Sequence, residues 1–192
     1  MNQSSEDVKG MMAMLLERAK EMRESFGYSG DEKMMPSAFI FGDSITIMML
    51  CWRNNREKYL MAAGANLAAR KQKAKSLSFV TDSRWVSSED FAKHFHLPDP
   101  RMSKPDEAQA FIDTYHRILK EHGGEIKNLP REVWQEAVVV FTNGPGIPLT
   151  IQMAPYVEGE NDTIKWLEDS PSKPKNNDEH RSKSDLLTDW WK

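Results

Sequence analysis

The sequence predicts an α+β protein in which two β-hairpins and a crossover strand form one sheet with helices packed on it. Apolar runs broken by Gly-Asp and Asn-Gly turn signals occur at residues 38–50 and 136–157. Other stretches carry apolar residues at three- and four-residue spacing, which is typical of amphipathic helices. A length of 192 residues suits one domain with tails. We expect a mixed sheet of about five strands in a domain over residues 36–167.

Residues 1–28 are predicted to form an N-terminal amphipathic helix. Its apolar residues lie on one stripe: Val8, Met11, Met12, Leu15, Leu16, Ala19, Met22 and Phe26. The stripe can pack on the core or dock a partner, and methionine suits an adaptable contact surface. Met11, Met12 and Leu15 are the candidate partner-binding residues of this helix.

The stretch "FIFGDSIT", residues 39–46, predicts the first hairpin. A two-residue type II′ turn at Gly42-Asp43 places Ile40 opposite Ile45 and requires a positive φ at Gly42. The next helix is expected to pack on the sheet through Leu60, Ala63, Gly64, Leu67 and Ala68. A strand, "SLSFVTDSRWV", follows it.

The remaining chain predicts an irregular insertion, a helix, a hairpin and a tail. The helix begins near Pro105 and ends at Gly123-Gly124, and the second hairpin turns at Asn143-Gly144. Residues 168–184 are too polar to offset the entropy of ordering and predict a disordered linker. Residues 185–192 predict a docking peptide whose apolar residues share one side of a helix: Leu186, Leu187, Trp190 and Trp191.

Composition and charge narrow the functional classes. The formal net charge is -3, so no bulk affinity for nucleic acid is expected, and the N-terminal stretch lacks the apolar core of a membrane segment. The single cysteine, Cys51, predicts a reduced and buried thiol in a cytoplasmic protein. A local basic patch in the helix region 53–75 keeps nucleic-acid binding as an alternative; its candidate residues are Arg70, Lys71, Lys73 and Lys75.

The motif "FGDSIT" resembles the nucleophile block of the SGNH (GDSL) hydrolases. Gly159-Glu160-Asn161-Asp162 is similar to the Gly-x-Asn-Asp block of that family. The resemblance implies an esterase in which Ser44 is the nucleophile and Asn161 an oxyanion donor. The chain departs from the family at the last block, Asp-x-x-His, because Asp178 precedes His180 by only two residues. A nucleophilic Ser needs a base within hydrogen-bond reach, so this reading stays the alternative.

His94, His96 and Asp99 have the composition of a metal site, but further ligands are not visible and no metal or cofactor is predicted. From Pro36 to Val157 the order of elements resembles small uncharacterised α/β proteins of bacteriophages and bacteria. That resemblance implies no activity. The sequence therefore predicts a non-enzymatic interaction or assembly module that binds a protein partner, or itself as an oligomer, through its terminal segments.

Overall fold

The structure, a computed structural model, describes residues 5–25, 34–51, 55–98 and 105–167. Its helices are α1 (Ser5–Ser25), α2 (Asn55–Lys71), α3 (Ser88–His94) and α4 (Pro105–Glu121). Its strands are β1 (Ser37–Phe41), β2 (Ile45–Met49), β3 (Ser76–Val86), β4 (Trp134–Gly144), β5 (Ile147–Glu158) and β6 (Ile164–Trp166). Within the described ranges, short 3-10 turns lie at Ile126–Asn128, Arg131–Val133 and Glu160–Asp162.

The strands form one sheet in the order β2-β1-β3-β4-β5-β6. The predicted α+β class is confirmed, with six strands instead of five. All neighbouring strands are antiparallel, so the expectation of a mixed sheet is wrong. The reason is that α2 carries the chain past β1, so that β3 pairs with β1 and not with β2.

One face of the sheet is covered by α1 over β3, β4 and β5. The buried cluster between them combines Val8, Met12, Leu15 and Ala19 with Val80, Val138, Val140 and Tyr156. Met12 is completely buried and Leu15 nearly so. The predicted N-terminal helix is therefore present, but Met12 and Leu15 are core residues and are not accessible to a partner in this fold. Met11 is only partly buried.

The other face is covered by α2, which lies over β1 and β3. Its packed residues are small: Ala62, Ala65 and Ala69. The expectation that Leu60 and Leu67 pack on the sheet is wrong, because they are 63% and 53% exposed. Alanines let the helix approach the sheet more closely than leucines would, and the leucines lie on the side of the helix that is turned away from the sheet.

A third apolar cluster lies where β3 ends and β4 begins. Phe91 of α3 is fully buried there, and its ring lies against the rings of Phe95, Phe111 and Tyr115. The predicted helix from Pro105 is confirmed as α4, which packs on α3 and the adjacent 3-10 turns. The two glycines after it, Gly123 and Gly124, have φ angles of 84° and 80°.

Both predicted hairpins exist, but their turns differ from the prediction. The first has a three-residue loop, Gly42–Ser44, so Ile45 lies opposite Phe41 and not opposite Ile40. Gly42 does not have a positive φ, so the type II′ turn is wrong. The second turn lies at Pro145-Gly146, two residues after the predicted Asn-Gly, and Gly146 has a φ of 73°.

Candidate functional site

The outer strand β2 exposes a row of large apolar side chains. Ile45, Ile47 and Met49 are 61%, 58% and 53% exposed. They alternate along the strand and therefore lie on one face of the sheet, the face that carries α1. They lie on this face because the register of the hairpin differs by one residue from the predicted one. The strand contains no charged residue.

The exposed row borders a partly buried apolar floor. Phe39 and Phe41 of β1 pair with Ile47 and Ile45, and their stacked rings are 6.5 Å apart. Both rings pack against the cluster beneath α1. We call the surface formed by these strands and the nearest side chain of α1 the β2 trough; it is lined by Met11, Phe39, Phe41, Ile45, Ile47 and Met49.

The helix forms the second wall of the β2 trough. The hydroxyl of Ser76, which neighbours Phe41 in the sheet, lies 4.0 Å from the sulfur of Met11. Met14 follows Met11 by three residues, so it lies on the same flank of α1, and it is 54% exposed. A large exposed apolar surface of this kind is typical of a protein-binding site.

The backbone of β2 is also available for pairing. In the part of the chain that the structure describes, β2 pairs only with β1, so its outer edge is open. Natural proteins usually protect such an edge with Lys, Pro or a bulge, and residues 45–49 contain none of these. The trough can therefore accept an apolar helix on its face or an extended segment along its edge.

A buried polar network holds α1 at the opposite side of the same face. The Arg23 guanidinium is 2.8 Å from the Asp82 carboxylate, and the Tyr156 hydroxyl donates to that carboxylate over 2.7 Å. Arg23 Nε also donates to the Tyr156 oxygen at 3.0 Å. Burial raises the pKa of Tyr156 strongly, and its hydrogen bond to Asp82 raises it further. Because all three side chains are buried, the network anchors the helix instead of presenting a reactive group.

The anchor extends to the last strand. The indole N–H of Trp166 donates to the Glu24 carboxylate, and Lys20 Nζ lies 5.2 Å from the centre of the Trp166 ring. The Tyr156 and Trp166 rings contact each other edge-on at 5.4 Å. The flank of α1 that faces β6 is therefore fixed by polar contacts, whereas Met11 on the other flank packs against the apolar cluster beneath the helix.

The two residues implied by the hydrolase resemblance do not meet. Ser44 is an exposed loop residue between β1 and β2, and Asn161 is an exposed residue between β5 and β6 with a φ of 56°. Their loops lie at opposite ends and opposite edges of the sheet. Five strand spacings separate the edges, which is about 24 Å. No helix begins at Ser44, as that family would require.

The histidines do not form a metal site within the described residues. His94 and His96 are both exposed, and Asp99 lies outside those residues. The described ranges contain no group of three or more His, Cys, Asp or Glu side chains that could hold a metal ion.

The predicted basic cluster is present at the surface. Its residues are all exposed and lie at the end of α2 and in the turn after it: Arg70, Lys71, Lys73 and Lys75. The Lys75 amide donates to the Phe41 carbonyl at 2.6 Å, so the cluster borders the turn end of the β1–β2 hairpin. The Lys75 end of the cluster thus lies at the turn end of the β2 trough, whereas Arg70 and Lys71 belong to α2, which covers the other face of the sheet.

A depression of about 410 Å³ lies at the start of β4. Its lining includes Arg131, Glu132 and Glu158, so it carries charges of both signs. The Arg131 guanidinium lies 4.1 Å from the centre of the Trp134 ring and covers it.

The C-terminal residues and Cys51 complete the set of residues that the sequence singles out. Leu186, Leu187, Trp190 and Trp191 lie outside the described residues, as does the predicted linker 168–184. Cys51 is exposed, so the predicted buried thiol is wrong; the neighbouring Leu50 is the buried residue.

The comparisons add no family. The chain matches no family model, no curated protein and no solved structure. Among the described helices, none is both long enough and apolar enough to cross a membrane.

Proposed function

We propose that this protein is a non-enzymatic interaction or assembly module that binds an apolar segment of a partner protein, or of another copy of itself, in the β2 trough. The observation that carries the proposal is the row Ile45, Ile47 and Met49, which is more than half exposed on an edge strand without a charge. A folded protein with 29% charged residues has ample polar side chains for such a surface. An unprotected apolar edge therefore supports a binding role.

The terminal segments contribute to this proposal in different ways. The Met11 flank of α1 forms a wall of the trough, whereas Met12 and Leu15 stabilise the fold. The C-terminal residues Leu186, Leu187, Trp190 and Trp191 are proposed as a second apolar binding element, because two Trp and two Leu in an otherwise polar tail suit an interface.

The binding surface can be tested by photo-crosslinking. A photoreactive amino acid at position 47 should give a discrete adduct with a partner or a second copy, and the same group at position 112 should not. Ile112 is the matched control because it is a large apolar residue, 44% exposed, on α4 and outside the trough. Ile47→Lys should abolish the association and Ile112→Lys should leave it unchanged. Equal association of both Lys variants would contradict the proposal.

Nucleic-acid binding is the second candidate, favoured by the exposed cluster Arg70, Lys71, Lys73 and Lys75. Binding through four phosphate contacts should weaken steeply as salt is raised. Neutralising the four residues together should abolish it while Ile47→Lys leaves it intact. Binding that survives the neutralisation would exclude this cluster as the contact.

The esterase alternative needs Ser44 and Asn161 in one site. Because the two residues are far apart, the alternative lacks support. A fluorophosphonate probe should label wild type and Ser44→Ala equally. Labelling of wild type alone would establish Ser44 as a nucleophile and overturn the non-enzymatic proposal.

A further inference from the structure

We infer that the chain's own C-terminal segment, residues 185–192, occupies the β2 trough intramolecularly when no partner is bound. This inference rests on the proposed function, since it assumes that the trough binds apolar segments. It assigns one occupant to the exposed face and makes that occupant a competitor of any external partner.

The segment has the chemistry that the trough requires. In a helix Leu186, Leu187, Trp190 and Trp191 share one side, which can cover the row from Ile45 to Met49. Asp185 and Asp189 are four residues apart and fall on another side of that helix. The basic cluster at the turn end of the hairpin supplies the complementary charge, and Lys73 and Lys75 belong to the turn whose backbone lies beside the hairpin loop.

The dimensions of the segment match the trough. Five residues of β2 span about 17 Å. Eight helical residues, 185–192, span about 12 Å. Such a short helix is not stable alone, so it needs an apolar surface to fold against. The trough exposes Ile45, Ile47 and Met49 in one row on the α1 side of the sheet, and an eight-residue helix fits along it.

The end of the described chain lies within reach. The Leu167 amide donates to the Pro155 carbonyl, and Pro155 is level with Ser83 of β3 through Ala137. Five strand spacings across the sheet and five residues along it separate this point from Ile47 of β2, a distance of roughly 30 Å. Residues 168–185 number 18. As the tether that their composition predicts, they have a root-mean-square span of about 21–25 Å and a full reach of about 60 Å.

The size of the contact favours this intramolecular occupant. An eight-residue helix on a five-residue strand buries far less than the ~1,200 Å² of stable complexes between separate proteins. A tether whose span is comparable to the distance between sites gives an effective concentration of about millimolar. The eight-residue segment alone is therefore too small to hold two molecules together but can occupy the trough within one molecule, whereas an external partner needs a larger contact.

Cys51 provides a probe for the docked state. It is the only cysteine in the chain, its side chain is exposed, and it lies two residues after Met49. A bimane dye on Cys51 is quenched when a tryptophan comes into contact with it. In a Trp52→Phe background, which removes the adjacent indole, we expect quenching by the C-terminal tryptophans. Replacing both, Trp190→Phe and Trp191→Phe, should raise the emission several-fold, and so should deletion of residues 184–192.

Two further measurements make the test decisive. Ile47→Lys should release the quenching while Ile112→Lys retains it, which locates the contact in the trough. Quenching should be independent of protein concentration, and an excess of unlabelled full-length chain should not quench the labelled Phe variant. Equal emission with and without Trp190 and Trp191 would overturn the inference. Quenching that appears only at high concentration would assign the trough to a second copy and would equally overturn it.

Failure of this inference is distinguishable from failure of the proposed function. Crosslinking at position 47 and its loss in Ile47→Lys can be measured in a chain that ends at residue 183. That chain should bind partners more tightly than the full chain if its own segment competes. If partners bind through position 47 equally well in the full and the shortened chain, the proposed function stands and the intramolecular docking is refuted.

Discussion

The two halves of the α1 side of the sheet are built in opposite ways. Over β3, β4 and β5 the helix covers a close-packed row of valines and is anchored by Arg23, Asp82 and Tyr156. Over β1 and β2 the side chains are equally apolar, yet Ile45 and Ile47 remain more than half exposed. The difference lies in what covers each half, because apolar content alone does not separate them.

The anchored half fixes where α1 lies, and so leaves the other half open. A buried ion pair adds little net stability compared with apolar residues, but it penalises every arrangement that separates its charges. Arg23 therefore holds the helix toward β6, where Lys20 and Glu24 contact Trp166. The Met11 flank is left beside an open surface, and flexible methionine side chains can adapt to different occupants.

The largest expected effect concerns the anchor. Arg23→Ala leaves the buried Asp82 carboxylate without its cation, and should destabilise the fold by about 3–5 kcal/mol. Arg18→Ala is the matched control on the same helix, because its pair with Glu21 is exposed and contributes at most about 1 kcal/mol. Urea unfolding of the two variants measures both. Similar losses would mean that the network does not anchor α1.

The second prediction compares one residue type in the two halves. Met12→Ala creates a cavity under α1 and should cost about 2–5 kcal/mol. Met49→Ala removes a side chain that is 53% exposed on β2, and in a chain that ends at residue 183 it should change stability by less than about 0.5 kcal/mol. Thermal or urea unfolding checks both values. In the full chain Met49→Ala should cost more than in the shortened chain, because the docked C-terminal segment covers Met49. Equal losses in the two chains would contradict the docked state.

The third prediction concerns alkaline pH. Burial raises the pKa of Tyr156 far above its ordinary value of about 10, so the folded protein keeps the proton that the unfolded chain releases. The stability contributed by the protonated hydroxyl is complete below about pH 10 and falls above it, by up to about 1.4 kcal/mol per pH unit.

Tyr156→Phe tests this pH dependence directly. At neutral pH the variant loses hydrogen bonds to Asp82 and Arg23, which should cost about 1.5–3 kcal/mol. The difference between wild type and variant should shrink as the pH rises from 10 to 11 in urea unfolding experiments. Tyr115 also has a raised pKa through burial, so the variant retains a smaller alkaline loss. Parallel curves for both proteins would contradict the assignment to Tyr156.

The sequence predicts which helices and strands form better than it predicts which side of each one is buried. Gly-Asp and the apolar runs around it located the first hairpin, but residues 38–41 are all apolar or small and do not alternate with polar residues. Without alternation the pattern cannot distinguish registers that differ by one residue. The same ambiguity affected α2, which carries leucines on one face and alanines on another. Packing against the sheet decided for the alanines.

The anchor was beyond local pattern analysis. Arg23, Asp82 and Tyr156 come from three separate parts of the chain, and spacing rules relate only neighbours along one element. The available signal was Asp82, a single carboxylate within the strand "SLSFVTDSRWV", since a buried charge requires a partner. The trough depends on the register of β2, so its residues were also missed. The strand β6 is only three residues long, which is too short for a pattern of alternation to predict it.

The smallest expected change in stability is that of Gly42→Ala, which tests the register of the β1–β2 hairpin. A type II′ turn would require a positive φ at Gly42, and Ala would then destabilise the hairpin. In the observed three-residue loop Gly42 lacks a positive φ, and an added Cβ would meet its nearest atoms, the carbonyl oxygens of Gln72 and Ser44, at 3.7 Å. Gly42→Ala should therefore be neutral or stabilise the protein by about 0.4–1 kcal/mol through the unfolded state.

Gly144→Ala is the matched control for this substitution in the second hairpin. An added Cβ there would collide with the Lys75 carbonyl oxygen, which belongs to the backbone and cannot move aside. We expect a clear loss of stability in this variant and none in Gly42→Ala when both are unfolded in urea. A loss of more than about 1 kcal/mol in Gly42→Ala would instead indicate a positive φ at that residue. It would restore the two-residue turn and turn Ile45, Ile47 and Met49 to the α2 side, which would remove the β2 trough together with the proposals built on it.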